Sequence, residues 1–200
     1  MAQYLKYMMK NIESLRIADD SSSQFGQTAA LSYIPGSAVR GMIINALAAK
    51  EDFASVKRAL FSNEIRFLNA YPVVGERELM PSPKGFYEDK TEDKRKEIHN
   101  IVLDGSFQEG WKRASMGDYC YISDGCIFHH QPACGADMKL KMNLEENEKR
   151  NVFRNEYLMP GQRFAGYIVM ETADAEADFD LEKLARRIRE VFDGLVRIGN

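Results

Sequence analysis

Hydrophobic and polar positions along this chain change period several times, and each change marks an element. Gln3–Ile17 mixes alternating and continuous apolar positions (Tyr4, Leu5, Tyr7, Met8, Met9, Ile12, Leu15, Ile17) without Gly or Pro, which suits a long, partly buried first strand, with a helix as the alternative. Ala18–Thr28 is polar and Ser-rich and reads as a surface loop carrying the acidic pair Asp19 and Asp20. The period then becomes helical. Val39, Ile43, Ala46 and Leu47 share one face of a helix over Ser37–Ala49, and positions 53, 56 and 60 repeat the pattern in a short second helix, Phe53–Phe61.

Ile65–Val74 is β-branched and aromatic, with Pro72 at a strand edge or end. Met80-Pro-Ser-Pro-Lys84 interrupts regular structure, and Glu88–Glu97 is almost entirely charged with mixed sign, so about 82–100 reads as a solvated, flexible insertion. Tyr119–His129 predicts a hairpin around Asp124-Gly125, and Met138–Leu144 alternates as a strand with one basic face. Pro160-Gly161 turns the chain into a strand over Phe164–Met170. Asp180 then caps a final amphipathic helix whose buried face holds Leu181, Leu184, Ile188, Val191, Phe192 and Leu195.

Composition narrows the class. Two hundred residues, 44% of them hydrophobic, suffice for a core, and a single domain spanning 1–200 is expected. A net charge of −3 gives no global positive field, so nucleic-acid binding would need a local basic patch. There is no charged-then-apolar leader and no apolar run near membrane-spanning length, so the expectation is a cytoplasmic, reduced protein without a membrane partner.

The chemistry concentrates in three places. In Tyr33-Ile-Pro-Gly-Ser-Ala-Val-Arg-Gly41, Ser37 reads as an N-cap, and Arg40 is a cation near a helix end that is already positive. A phosphate held by free N–H groups, the Ser37 hydroxyl and Arg40 would remove that conflict, as would Arg40 reaching out to water or a carboxylate. Trp111-Lys112-Arg113 sits in a Gly-bounded stretch, where the ring could stack a base or anchor a core. Cys120, Cys126, His129, His130 and Cys134 are zinc-type ligands in a short span, but without a Cys-x-x-Cys pair, so no metal is assigned. Asp19 and Asp20 could bind a catalytic metal or be solvated loop acids.

Four stretches together resemble the CRISPR-associated RAMP superfamily: Tyr33–Gly41, Trp111-Lys-Arg, the His129/His130 position, and Tyr157-Leu-Met-Pro-Gly-Gln-Arg-Phe164. The spacing before the first motif looks most like subunits of type III complexes, in particular the type III-D kind. The resemblance implies an α+β, ferredoxin-like β-α-β-β-α-β unit, similar to an RNA-recognition-motif sheet, with insertions and without its last edge strand. It also implies that the chain is the N-terminal part of a longer protein or is completed by a partner. The implied function is non-catalytic: holding guide RNA and neighbouring effector subunits in antiviral defence, with no cofactor. Gly36, Ser37, Arg40, Lys112, Arg113 and His130 are the RNA-binding candidates. Two alternatives stand beside it, a metal-dependent ribonuclease subunit using Asp19 or Asp20, and a zinc-stabilised interaction module.

Overall fold

The computed structural model describes residues 2–18, 27–49, 53–61, 64–90, 97–142, 150–171 and 181–198. In chain order the elements are β1 (Ala2–Lys10), β2 (Gln27–Thr28), α1 (Gly36–Ala48), α2 (Phe53–Leu60), β3 (Ile65–Phe67), β4 (Tyr71–Val74) and β5 (Arg77–Glu78). There follow β6 (Met80–Pro81), β7 (Phe86–Asp89), β8 (Ile98–Asn100), α3 (Ile101–Asp104), β9 (Trp111–Arg113), β10 (Tyr119–Ser123) and β11 (Cys126–His130). The last are β12 (Cys134–Met142), β13 (Arg150–Leu158), β14 (Arg163–Glu171) and α4 (Leu181–Phe192). The chain divides into two compact units, Met1–Glu78 with Pro132–Asn200, and Leu79–Gln131.

The first unit is built on a sheet of order β1-β14-β4-β5, with β3 also paired to β14. β1 runs antiparallel along all of β14, from Ala2 opposite Glu171 to Lys10 opposite Arg163. Because side chains alternate across a strand, this register puts Leu5, Tyr7, Phe164, Ile168 and Met170 on one face. There they meet Val39, Met42, Ile43 and Leu47 of α1 and Leu184, Ala185, Ile188 and Val191 of α4 in one buried cluster. Each fully buried aliphatic side chain contributes about 1.5–3 kcal/mol relative to exposure. Tyr7 is buried with its ring stacked on Phe192 at 4.7 Å and its hydroxyl donating to the Leu68 carbonyl at 3.1 Å. Burial pushes its phenol above the ordinary range. Gly166, directly opposite Tyr7, leaves room for the ring, since a Cβ there would strike the Tyr7 hydroxyl unless the ring moved. A second sheet of this unit joins the β12–β13 hairpin to β2.

The second unit holds two three-stranded sheets, β11-β10-β6 and β8-β7-β9. Asp124 and Gly125, at φ 52° and 72°, form the tight turn between β10 and β11, the hairpin that the Asp-Gly pair predicts.

The ferredoxin-like β-α-β-β-α-β unit is not formed. The described chain is mostly β: fourteen strands spread over four sheets, with only α1, α2 and α4 longer than one helical turn. The middle of the chain makes hairpin sheets of its own because its apolar runs are short and broken by Gly and Pro.

Other boundaries also move. β1 stops at Lys10, and beyond it Leu15 makes only an isolated bridge to Leu158. Ile65–Val74 splits in two because Ala70 turns to exchange backbone hydrogen bonds with Ile34, at 3.0 and 2.8 Å. Met80-Pro81 is a strand on β10 rather than a break. The charged run opens in β7 with Glu88 buried, not solvated, while 91–96 lie outside the described residues. Leu195 follows the end of α4 and is 87% exposed, so it belongs to no buried face. Asp180 lies outside the described residues.

Candidate nucleic-acid interface

The Pro-Gly-Ser stretch starts α1 by a different device from the one its residues suggest. Ile34 is fixed to Ala70, Pro35 stands in extended conformation (φ −61°, ψ 143°) as the N-cap, and no side-chain cap comes from the helix itself. Ser37 is therefore the second helical residue, exposed, and not the cap. The cap arrives from elsewhere: the Gly36 N–H donates to Asn69 Oδ1 at 2.9 Å. The N–H groups of Ala38 and Val39 donate to the Pro35 carbonyl at 3.0 and 3.1 Å. Much of the helix end is thus already satisfied, and an anion held chiefly by free N–H groups is not what it offers. Gly36 is required sterically, because a Cβ would collide with the Phe67 carbonyl as α1 crosses β3.

What the helix does offer is a cleft. Gly36, Ser37, Arg40, Gly41 and Ile44 on α1 face Ile65, Arg66 and Phe67 of β3 across an open concavity of about 520 Å³. Arg40 is half-buried, and its guanidinium lies over the Phe61 ring, 5.2 Å from the centroid. That contact, typically about 0.5–1 kcal/mol where solvent reaches it, offsets the unfavourable position near the helix start. Arg66 lines the cleft from β3, but strand alternation places its side chain with Val169, on the sheet face away from α1. Its Nη2 donates to Glu171 Oε1 at 2.5 Å, leaving the guanidinium more than half exposed. A forked, permanently charged donor at Arg40, beside an exposed ring and the Ser37 hydroxyl, suits a phosphate.

The remaining candidates fall in the other unit, where β9 carries Lys112 and Arg113 and β11 carries His130, on different sheets. Trp111 is buried and stacked parallel on His99 at 4.2 Å, with the edge of Phe107 against it at 6.1 Å. It is a core anchor, not a base platform. Lys112 Nζ stands 3.4 Å from the buried Glu88 carboxylate, whereas Arg113 is exposed. His130 is half-buried opposite Tyr119, with Gly117 close against its backbone carbonyl.

The fourth family-like stretch also acts structurally. Gln162 Nε2 donates to the carbonyls of Ala133 and Met159, both at 2.8 Å, and its Oε1 accepts from the Ala133 N–H at 2.9 Å. Asn11 Oδ1 accepts from the Gln162 N–H at 2.8 Å, and Asn11 Nδ2 donates to the Met159 carbonyl at 2.9 Å. Together they clasp the end of β1 to the β13–β14 turn, where Gly161 takes φ 90°.

In the cysteine region, Cys120 is buried opposite His129, Cys126 is exposed opposite Ser123, and Cys134 belongs to the other unit. Among the described residues no group of three or more His, Cys, Asp or Glu could hold a metal ion. Asp19 and Asp20 lie outside the described residues. No described helix is long and apolar enough to cross a membrane.

Sequence reasoning missed Arg66, Phe61 and Asn69. Arg66 alternates outward on an apolar strand, which marks it as exposed but not as a residue that lines the cleft beside α1. Asn69 caps a helix 33 residues away, and such a contact leaves no local signal. Comparison with models of known protein families gives no match, and comparison with curated proteins gives no significant similarity.

Proposed function

We propose that this chain is a non-catalytic RNA-binding subunit of a type III CRISPR effector complex, holding guide RNA and neighbouring subunits in antiviral defence. The observation that carries the RNA-binding part is the open cleft beside the start of α1, lined by Ser37 and Arg40. An open cleft bearing the Arg40 guanidinium suits an extended polyanion passing through it better than a small molecule, which needs enclosure. The assignment to an effector complex rests on the motif Ile34-Pro-Gly-Ser-Ala-Val-Arg-Gly41 and its three companions. The corrected fold withdraws a ferredoxin-like scaffold from its support. The overall charge of −3 is compatible with this role, because a guide-RNA path shared among subunits asks each for only a few phosphate contacts.

The test is Arg40→Glu in the assembled complex. Guide-RNA affinity should fall, and the slope of log affinity against log salt should drop by about one. RNA retention at the wild-type level with the wild-type salt slope would remove the reading.

A further inference from the structure

Helices α1 and α4 cover one face of the sheet β1-β14-β4-β5, and the opposite face presents a different set of residues. On β1 these are Tyr4, Lys6, Met8 and Lys10, and opposite them on β14 stand Val169, Tyr167, Ala165 and Arg163. Tyr4 is 68% exposed, Met8 55% and Tyr167 37%. Tyr4 lies opposite Val169, and Tyr167 lies opposite Lys6, so the two tyrosines are diagonal neighbours at about 7–8 Å.

Arg66 pairs with Val169 and therefore stands on this same face while also lining the Arg40 cleft. Glu78 accepts from Lys6 Nζ and from the Tyr167 hydroxyl at 3.0 Å, which fixes the orientation of the Tyr167 ring. Arg163 Nη2 donates to the Gly75 carbonyl. The face carries four cations, Lys6, Lys10, Arg66 and Arg163, against the carboxylates Glu78 and Glu171. In a chain of net charge −3 this is a local excess of positive charge around two exposed rings.

We propose that this open sheet face binds single-stranded RNA. Two successive bases stack on Tyr4 and Tyr167, Lys10, Arg163 and Arg66 take the flanking phosphates, and the strand continues through Arg66 to Arg40. The inference rests on the Proposed function only for that continuation. The charge decides the occupant, because a protein partner would have to bury four cations against the two carboxylates Glu78 and Glu171, whereas a polyanion matches the excess. Ring stacking decides the strandedness, since bases already paired in a duplex cannot splay onto side chains.

The experiment uses the full chain and a fluorescein-labelled oligouridine roughly 12 nucleotides long, followed by anisotropy over a series of salt concentrations. Tyr4→Ala/Tyr167→Ala should weaken binding about tenfold or more with the salt slope unchanged, because no charge is removed. Tyr167→Phe, which loses the bond to Glu78 but keeps the ring, should bind within about twofold of wild type. Lys10→Gln/Arg163→Gln should lower the slope by about one to two. Ultraviolet cross-linking of the wild-type chain, which needs no variant to fold, should place uridine on the peptides containing Tyr4 or Tyr167. If the double tyrosine variant binds like wild type while Arg40→Glu loses RNA, this inference fails and the Arg40 cleft stands. If neither change affects binding, or wild type binds no RNA, both readings fall. Loss of a co-purifying protein with RNA binding intact would overturn the inference in favour of a protein interface.

Discussion

The helix-covered sheet of the first unit and the hairpin sheets of Leu79–Gln131 keep their side chains from water by different means. In the first, two helices close one sheet face, and the cluster from Leu5 to Val191 is continuous and mainly aliphatic, with Tyr7 and Phe164 inside it. Among the described residues of the second, no helix exceeds one turn, and the buried set is short: Leu79, Phe86, Trp111, Tyr119 and Cys120, with the buried acid Glu88 among them. Ring pairs take over much of the work there, His99 on Trp111, Tyr87 on Phe107 and Tyr121 on Phe128, while Val102, Leu103 and Phe107 stay exposed. Each such pair adds about 0.5–1.5 kcal/mol beyond the area it buries, less than a well-filled aliphatic site. The difference teaches that a chain with enough apolar residues overall can still distribute its stability unevenly.

The largest effect should come from Ile168→Ala. Ile168 is fully buried between β1 and the helices, and truncation there should cost about 2–5 kcal/mol, read as a lower urea midpoint of the far-ultraviolet helical signal. Trp111 is the single tryptophan, so its fluorescence reports the second unit alone. In the wild-type chain the fluorescence transition should come at lower urea than the helical signal. Coincident transitions would erase the distinction between the two units.

Gly36→Ala comes next. The added methyl meets the backbone carbonyl of Phe67, which has no rotamer to escape into, so α1 must shift off β3 at about 1–3 kcal/mol. The same shift would open the Arg40 cleft, so RNA affinity should fall along with the helical midpoint while the Trp111 transition stays in place. A smaller effect is expected from Lys112→Met, which removes a cation beside the buried Glu88 carboxylate. It should lower the fluorescence midpoint by about 1 kcal/mol equivalent, with no change in the helical signal. Were Lys112→Met instead to leave stability untouched and weaken RNA binding, Lys112 would join the interface rather than the core of its own unit.

The sequence made the local part of this fold readable. Val39, Ile43 and Leu47 at helical spacing, the Asp124-Gly125 turn and the apolar run of β14 each carry their own period or turn chemistry, and each forms as expected. What escaped was set by partners far along the chain. Asn69 supplies the cap expected of Ser37, Ala70 breaks a strand in order to hold Ile34, and Gln162 serves as a clasp rather than a ligand. The ferredoxin-like expectation failed for the same reason, since which strands share a sheet depends on long-range pairing that periodicity does not encode. Of the candidate interface, Arg40 stood out because a cation near a helix start conflicts with the dipole. Arg66 broke no local rule and drew no notice.

The smallest effect expected is an acid one on the open sheet face. Hydrogen bonding from Lys6 holds the Glu78 carboxyl below the usual range, and the same bond holds Lys6 above its own. A carboxylate lowered by folding contributes stability above its unfolded pKa and loses it as pH falls through the folded value. This contribution should therefore be intact at neutral pH and disappear below the ordinary glutamate range, near 4.5. Lys6 is about half exposed and Glu78 about a third, so salt should screen part of it. In Glu78→Gln the acid-side fall in the helical midpoint should become slightly shallower, and Tyr167, whose phenol the Glu78 bond raises, should titrate closer to the ordinary tyrosine value. That phenol shift, followed by ultraviolet difference absorption, reads the ring's attachment directly. A Tyr167 that titrates identically with and without Glu78 would mean the ring is not oriented by that carboxylate, and the face would lose the rigidity that favours stacking a base.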